Sequence, residues 1–275
     1  VAVASVADVT DPVALLAEVE AAAPAAVVHL AAISSVTDSL ADPGSTWTVN
    51  AIGTLNVAEV VRRAAPTARL LVVSSGEVYG DTGDAPADES RPLAPRSPYA
   101  ASKAAAEIAA QQAALANGLD VVIARPFGHT GPGHDRRFAL PSWAAQIAEL
   151  EQTGGGDLMV GDLTVERDLL DVRDVVAAYL ALLDPAVPAG TYNVARGEAV
   201  PLGDLLALLV GAATVPVNIV RDPSRMRAVD TPLLCGDAGR LRAATGWEPT
   251  RELAETLSDL LQASRDSVIG DTAPR

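Results

Sequence analysis

The chain has 275 residues, 49% hydrophobic and 3% aromatic, and a formal net charge of −15. That length and Ala/Val/Leu-rich content suit one large α/β domain, alone or with an appended smaller lobe, with disorder expected only in the tail Ser267–Arg275. The acidity argues against nucleic acid or an anionic membrane as a partner, and the single Cys235 excludes an intramolecular disulfide framework and fits a reducing cytoplasm.

In chain order, Val1–Val6 predicts a strand, Pro12–Ala23 a helix, Ala26–Ala31 a strand and Trp47–Ala64 a long helix. Leu70–Ser74 predicts a strand, Pro98–Asn117 a helix and Val121–Ala124 a strand. Strand and helix in turn imply right-handed βαβ units and a doubly wound parallel sheet, with its ligand crevice at the carboxyl ends of the strands. The unusual residues fall at those ends: Asp8, His29-Leu30-Ala31-Ala32, Ser74-Ser75-Gly76-Glu77 and Arg125-Pro126-Phe127. Beyond Phe127 the pattern loosens into Gly/Pro-rich connections (Gly128 to Pro132, Gly154 to Gly156), with helices over Arg173–Leu183 and Leu202–Val210 mixed with short strands. The expected division is therefore 1–127 for the first sheet and 128–275 mostly for a smaller α/β lobe, with 167–185 packing back on the sheet. The longest apolar stretch, Leu205–Val220, is interrupted by Gly211 and Pro216 and reads as helix then strand, so no membrane span is expected.

A dinucleotide-binding sheet opens with a strand, a glycine-rich turn and a helix whose N-terminus receives the pyrophosphate. The first glycine here is Gly44, and neither Gly131-Pro132-Gly133 nor the Gly154 triplet follows a strand that feeds a helix. The chain reads as starting at the third strand of such a sheet, without an opening β-α-β segment of roughly 30 residues. Weak dinucleotide binding by the chain as written is the expectation.

Lys103 is the one lysine among 20 Lys+Arg, and it lies four residues after Tyr99. With 4 tyrosines in 275 residues, a randomly placed lysine would land there about 1.5% of the time. A flexible ammonium is retained at one position where arginine serves everywhere else. Ser97 is a good N-cap and Pro98 a good first helical residue, which puts Tyr99 in the first turn with Lys103 on the same face. An ammonium about 4 Å away at an effective dielectric near 20 favours phenolate by roughly 4 kcal/mol. That is about three pKa units, enough to bring a phenol toward physiological pH for proton exchange. Ser74-Ser75-Gly76-Glu77 ends a strand with two hydroxyls, a glycine and a carboxylate. It either holds a substrate oxygen facing Tyr99 or forms a turn that satisfies its own backbone.

Tyr99-x-x-x-Lys103, the strand-end serine, His29-Leu30-Ala31-Ala32 and Asp8-Val9-Thr10-Asp11 together resemble the extended short-chain dehydrogenase/reductase family of nucleotide-sugar epimerases, dehydratases and reductases. The resemblance implies a Rossmann-like fold, NAD or NADP as cofactor, and Ser75, Tyr99 and Lys103 as the catalytic trio. Tyr99 would be acid/base, Lys103 would grip the nicotinamide ribose and depress the tyrosine pKa, and Ser75 would orient the reacting C–O group. Asp8 and Val9 would sit by the adenine, with Leu30, Ala31, Ala32, Asn50, Pro126 and Phe127 lining the cofactor. Arg125 through Gly133, Glu166 through Asp174 and Gly236 through Trp247 resemble GDP-4-keto-6-deoxy-mannose reductases and GDP-mannose 4,6-dehydratases. From these come a nucleotide-diphosphate sugar as substrate, Arg167 and Arg227 as clamps for its diphosphate, and Gly76, Glu77, Gly128, Phe138 and Asp230 as further contacts.

Two departures matter. Gly128 stands where the family has asparagine, and Gly76 where dehydratases carry an acid or hydroxyl beside the glutamate that corresponds to Glu77. Eliminating water needs a proton removed at C5 and one delivered at C6, so Glu77 alone favours simple hydride transfer. The expected activity is reduction of a GDP-4-keto-6-deoxyhexose. A 4-epimerase, a 4,6-dehydratase and a non-catalytic binding member of the fold stand as alternatives. No metal is expected, and NAD and NADP both stay open because the residue that reads the ribose 2′ position would end the second strand. Family members pair through long helices, here Trp47–Ala64 and Pro98–Asn117, which implies a homodimer.

Overall fold

A sheet covered on both faces needs strands that are apolar at successive positions, so that each strand feeds two cores at once. Runs such as Leu70-Leu71-Val72 and Val121-Val122-Ile123-Ala124 have that character. The computed structural model describes residues 2–83, 85–226 and 230–272. In it β1 (Ala26–His29), β2 (Arg69–Val73), β3 (Val121–Pro126) and β7 (Gly190–Val194) form one parallel sheet in the order β1-β2-β3-β7. Leu70, Val72, Val121 and Ile123 enter the core shared with α1 (Pro12–Ala22), α4 (Gly53–Ala64) and α5 (Pro98–Asn117). Leu71, Val122 and Ala124 enter the opposite core, with α7 (Val172–Leu182) and α9 (Gly239–Thr245). Helices on both faces of a parallel sheet make this half a doubly wound, Rossmann-type fold, as the sequence predicts.

The remaining strands build the second part. β6 (Glu166–Asp171) pairs in parallel with β4 (Gly128–Thr130) and β10 (Leu233–Leu234), and antiparallel with β8 (Ala199–Pro201). β5 (Gly156–Val160) pairs with β9 (Val217–Arg221). Around them α6 (Ala139–Thr153), α8 (Leu202–Gly211) and α10 (Leu253–Thr272) close a core that includes Trp143, Ile147, Leu158, Leu206 and Leu260. Among the described residues no helix is long and apolar enough to cross a membrane.

Several elements differ from the sequence expectation, each for a physical reason. Residues 2–6 form no strand, and Val3 and Val6 are 77% and 91% exposed; a strand exists only as part of a ladder, and among the described residues none pairs with this run. The long helix expected over Trp47–Ala64 is α3 (Pro43–Trp47), a π-helical turn over Thr48–Ile52, and then α4. The widened turn lets the buried Asn50 side chain point inward. Gly128–Thr130, inside a stretch read as a connection, is strand β4, and β5 begins at Gly156, the last residue of the other stretch so read. The expected tail from Ser267 continues α10 as far as Thr272.

One side chain binds sheet to covering helix. Arg69, 6% exposed at the start of β2, donates to the carbonyls of Leu182 at the end of α7 and of Asp184 and Val187 just past it, at 3.0, 2.5 and 2.8 Å, and pairs with Asp120 at 2.8 Å. Arg69→Met takes a donor from the Leu182 and Val187 carbonyls, while the Asp184 carbonyl keeps the Val187 amide at 3.0 Å; it is expected to cost about 3 kcal/mol, read as a lower urea midpoint at an unchanged m-value.

Candidate active site

The site begins with how α5 starts. Ser97 accepts a hydrogen bond from the Ala100 amide at 3.1 Å, Pro98 takes the first helical position, and Tyr99 follows in the first turn. Tyr99, Lys103 and Glu107 recur every fourth residue, so all three face the carboxyl ends of β2 and β3, and all are buried. Lys103 Nζ donates to the Val73 carbonyl, the last of β2, at 2.7 Å. Ser75, two residues beyond, receives the Glu77 amide on its hydroxyl at 3.2 Å and faces the Tyr99 phenol. The trio read from the sequence therefore converges at one point.

That point opens into a cavity of about 1140 Å³. Ser75, Glu77, Tyr99 and Lys103 line it, as do Leu30, Ala32, Pro126 and Phe127 of the expected cofactor contacts and Gly128, Phe138, Arg167 and Asp230 of the expected substrate contacts. Asp8, Val9, Ala31, Asn50 and Gly76 do not line it. Asp8 instead accepts from the Thr10 amide and hydroxyl, both at 2.8 Å, and Val9 packs in the core under α1. Asn50 acts at one remove: its side chain accepts from the Ile33 amide at 2.8 Å and donates to the Ile33 carbonyl and the Ser102 hydroxyl, at 3.0 and 2.9 Å, tying the loop after β1 to α5. Arg167 donates to Asp230 at 2.6 Å and to the carbonyls of Glu166 and Thr231. Arg227 lies outside the described residues.

The electrostatics correct one expectation. Burial pushes the Tyr99 phenol up to about 12, the Glu77 carboxylate adds to the rise, and only the Ser75 hydroxyl opposes it. The ammonium of Lys103 is directed at the Val73 carbonyl and answers to Glu107, while its own burial brings it down to about 8. At neutral pH the pair is thus a protonated phenol beside a cation. Burial and the Lys103 charge also bring His29 down to about 4. Thr54 spends its hydroxyl proton on the Asn50 carbonyl at 2.6 Å, so it accepts from His29 Nε2 at 3.0 Å, which fixes the neutral Nε2–H tautomer.

The two departures also acquire a cause. A Cβ at Gly76 would lie 2.8 Å from the Phe127 ring, and one at Gly236 only 2.3 Å from it, so both glycines are seats for that ring. A Cβ at Gly128 would lie 2.8 Å from the Asp168 carbonyl oxygen, across the β4–β6 ladder. Asparagine there would require the two strands to separate.

Other side chains here escaped the sequence reading. His129, His134 and Tyr179 line the cavity, with His134 stacked on Phe138 at 4.5 Å between ring centroids. Asp168, buried beside Arg167, accepts from the amides of Arg196 and Gly197 at 2.8 and 2.9 Å and so ties β6 to the loop after β7. Beneath Lys103, Glu107 and Arg125 form a buried ion pair at 2.6 Å. Glu107 had a signal that went unused, since it continues the Tyr99–Lys103 spacing by one more turn. The histidines and Tyr179 come together only through the fold.

A tyrosine–lysine pair with a strand-end serine, at the carboxyl edge of a doubly wound parallel sheet, is the arrangement expected of a short-chain dehydrogenase/reductase. A family model described as GDP-mannose 4,6 dehydratase matches residues 4–260, and the chain belongs to that family. It is similar to GDP-6-deoxy-D-mannose reductase of Pseudomonas aeruginosa, 39% identical over 86% of this chain and 79% of that protein. It is also similar to UDP-glucose 4-epimerase of Mycolicibacterium smegmatis, 32% identical over 93% of this chain and 80% of that protein. Among solved structures, RMD from Pseudomonas aeruginosa complexed with NADPH superposes with a TM-score of 0.89 at 36% identity, over 97% of this chain and 90% of that one. DesIV, the dTDP-glucose 4,6-dehydratase of Streptomyces venezuelae solved with NAD, gives 0.83 at 26% identity, over 94% and 78%.

His29 makes the folded chain acid-sensitive in a defined window. Its folded pKa, about 4, is below the ordinary 6.5; between those values the unfolded chain binds a proton that the folded chain refuses. Its contribution is fully present above pH ~6.5 and falls by about 3 kcal/mol as pH drops to ~4. His29→Asn is expected to flatten the pH dependence of urea unfolding across that window, and a slope equal to wild type would contradict the assignment.

Proposed function

We propose that this protein reduces the C4 keto group of a GDP-4-keto-6-deoxyhexose with NADPH or NADH. The observation that carries the reading is the Tyr99 phenol facing Ser75, with Lys103 at the same end of a cavity that also holds Arg167. The residues present fit the nicotinamide riboside end of the cofactor: the Lys103 ammonium suits ribose hydroxyls, and Leu30, Ala32, Pro126 and Phe127 offer apolar walls for a ring. When bound, the nicotinamide supplies the hydride. Tyr99 delivers its phenolic proton to the oxygen at C4 and Ser75 holds that oxygen by hydrogen bonding. Arg167 recognises the diphosphate with a planar guanidinium, supplying local positive charge in an acidic protein, and Glu77 contacts the sugar. Gly76 has no side chain to act as a second acid, which supports reduction over elimination. On this reading residues 1–127 serve mainly the cofactor and 128–275 mainly the substrate, with 167–185 joining the first part, and the reaction belongs to a reducing cytoplasm.

Incubation with NADPH and a panel of 4-keto sugar nucleotides is the direct test. Cofactor oxidation with formation of the 6-deoxyhexose is expected, and Tyr99→Phe should lower kcat by about 10²–10⁴-fold. Interconversion of hexose epimers without net cofactor oxidation would sink the reductase reading.

We also propose a homodimer through α4, α5 and the turn before them. Trp47 at the end of α3, Ile52 on the turn, Leu55 on α4 and Ile108 on α5 are 43, 51, 42 and 64% exposed, and apolar side chains gathered on adjoining helices suit burial against a second copy. Ile108→Asp is expected to shift the sedimentation of a dimer to that of a monomer.

A further inference from the structure

We infer that the Asp230 carboxylate is a built-in competitor for the anion site on Arg167. It bonds the guanidinium where a phosphate oxygen would and repels an incoming diphosphate, so it sets how tightly that group is held. The inference rests on the reading of Arg167 as the diphosphate contact.

Arg167 lies on β6, and Asp230 lies three residues before β10, which pairs with that strand. The Glu166 amide donates to the Pro232 carbonyl at 2.8 Å, so the two segments are already in register beside Asp230. One dipeptide then grips the guanidinium: Nη1 donates to the Thr231 carbonyl at 2.7 Å and Nη2 to Asp230 Oδ1 at 2.6 Å. Nη1 donates to the Glu166 carbonyl as well, at 2.8 Å. Asp230 Oδ1 also accepts from the Thr231 amide at 2.9 Å, which keeps the carboxylate turned toward Arg167. Both side chains line the cavity, 13% and 24% exposed.

An ion pair in open water, such as Arg136–Glu149 at 65% and 49% exposed, is worth little. Arg167 and Asp230 are largely withdrawn from water, where charges are screened less. With Nη1 directed at two backbone carbonyls, Nη2 is the terminal nitrogen that can turn to a ligand, and Asp230 bonds it. A phosphate oxygen that reaches Nη2 therefore comes beside a carboxylate of its own sign. Like charges brought together weaken binding, and a repulsive element beside an attractive one is a common source of selectivity. A small monoanion offers Arg167 nothing that Asp230 does not already supply, whereas a diphosphate has further oxygens for groups such as Arg225 on the same cavity wall. Asp135 and Asp162 also line the cavity, but Asp135 pairs with Arg137 at 2.9 Å and Asp162 accepts from the Thr164 amide and hydroxyl at 2.9 and 2.7 Å. Asp230, expected from the resemblance as a substrate contact, thus acts against the substrate's charge.

Asp230→Asn keeps an acceptor at Oδ1 for Arg167 and Thr231 and removes the charge. Calorimetric titration of the full chain with GDP, and separately with inorganic pyrophosphate, is expected to give a Kd about tenfold lower in Asp230→Asn than in wild type. Should that variant not fold, Asp230→Ser removes the same charge with a smaller side chain and is expected to tighten binding too. In Arg167→Gln/Asp230→Asn the gain should vanish, because it runs through the guanidinium. An unchanged Kd would overturn the inference and make the carboxylate a bystander. Weaker binding would overturn it equally, since a residue that only supports Arg167 or contacts the ligand loses affinity when altered. Neither ligand carries a keto sugar, so tighter binding in a protein that reduces no 4-keto sugar nucleotide would support the inference and count against the reductase reading alone.

Discussion

Every polar side chain that α5 turns toward the sheet is buried, and a buried polar group left unpaired costs about 1–3 kcal/mol. Tyr99, Ser102, Lys103 and Glu107 are 9, 0, 5 and 1% exposed. Ser102 is taken by the Tyr99 carbonyl and Asn50, Lys103 by the Val73 carbonyl, and Glu107 by Ser74 and Arg125. Among the described residues no buried side-chain nitrogen or oxygen lacks a partner. These partners come from β2, β3 and the π-helical turn before α4, so the helix docks in one register only. A slide by one residue would strand several of them together. The geometry of the reaction centre is therefore a consequence of polar pairing, with apolar burial supplying the adhesion and the polar stripe supplying the address.

That division explains what the sequence revealed. Helix α5 was legible to the residue, because its start is written in Ser97-Pro98 and its end in Gly118, which sits at a φ of +70°. The central strands were legible because Leu70-Leu71-Val72 and Val121-Val122-Ile123 can only be buried on both faces. Strand Val1–Val6 was not, since a run of β-branched residues states a propensity and only a neighbouring strand can satisfy it. The π-helical turn at Thr48–Ile52 was hidden for a similar reason. It is selected by where Asn50 must reach, Ile33 and Ser102, which are close only in the folded chain. Strand β4 was missed because Gly128 reads as a loop residue until Asp168 is seen across the ladder.

The tyrosine shows where reasoning from spacing alone goes astray. A charge one turn away was credited with its full Coulomb effect, as though it were aimed at the phenol. The helix does place Lys103 beside Tyr99, but the ammonium finds the Val73 carbonyl, and the phenol meets Ser75, Glu77 and a low-dielectric wall. Desolvation acts on every buried group regardless of direction, whereas Coulomb attraction depends on where a flexible stem points. The sign on Tyr99 consequently reverses, and a protonated phenol suits delivery of a proton to a carbonyl better than removal of one from an alcohol.

Phe127 carries the same logic to the choice of reaction. Its ring occupies the space above Gly76 on one side and Gly236 on the other, stacks on Tyr79 at 6.1 Å between centroids, and forms part of the cavity wall. A side chain at position 76 cannot be added without moving that ring, and the ring is held by a backbone bond from Phe127 to the Val194 carbonyl at 2.9 Å. Whether position 76 can carry an acid beside Glu77 is thus decided by the packing of an aromatic ring. The proteins this chain is similar to include a reductase, epimerases and dehydratases. Around the Tyr99–Lys103 pair the wall of this chain is a phenylalanine seated between glycines, and it leaves Glu77 with no acid beside it at position 76.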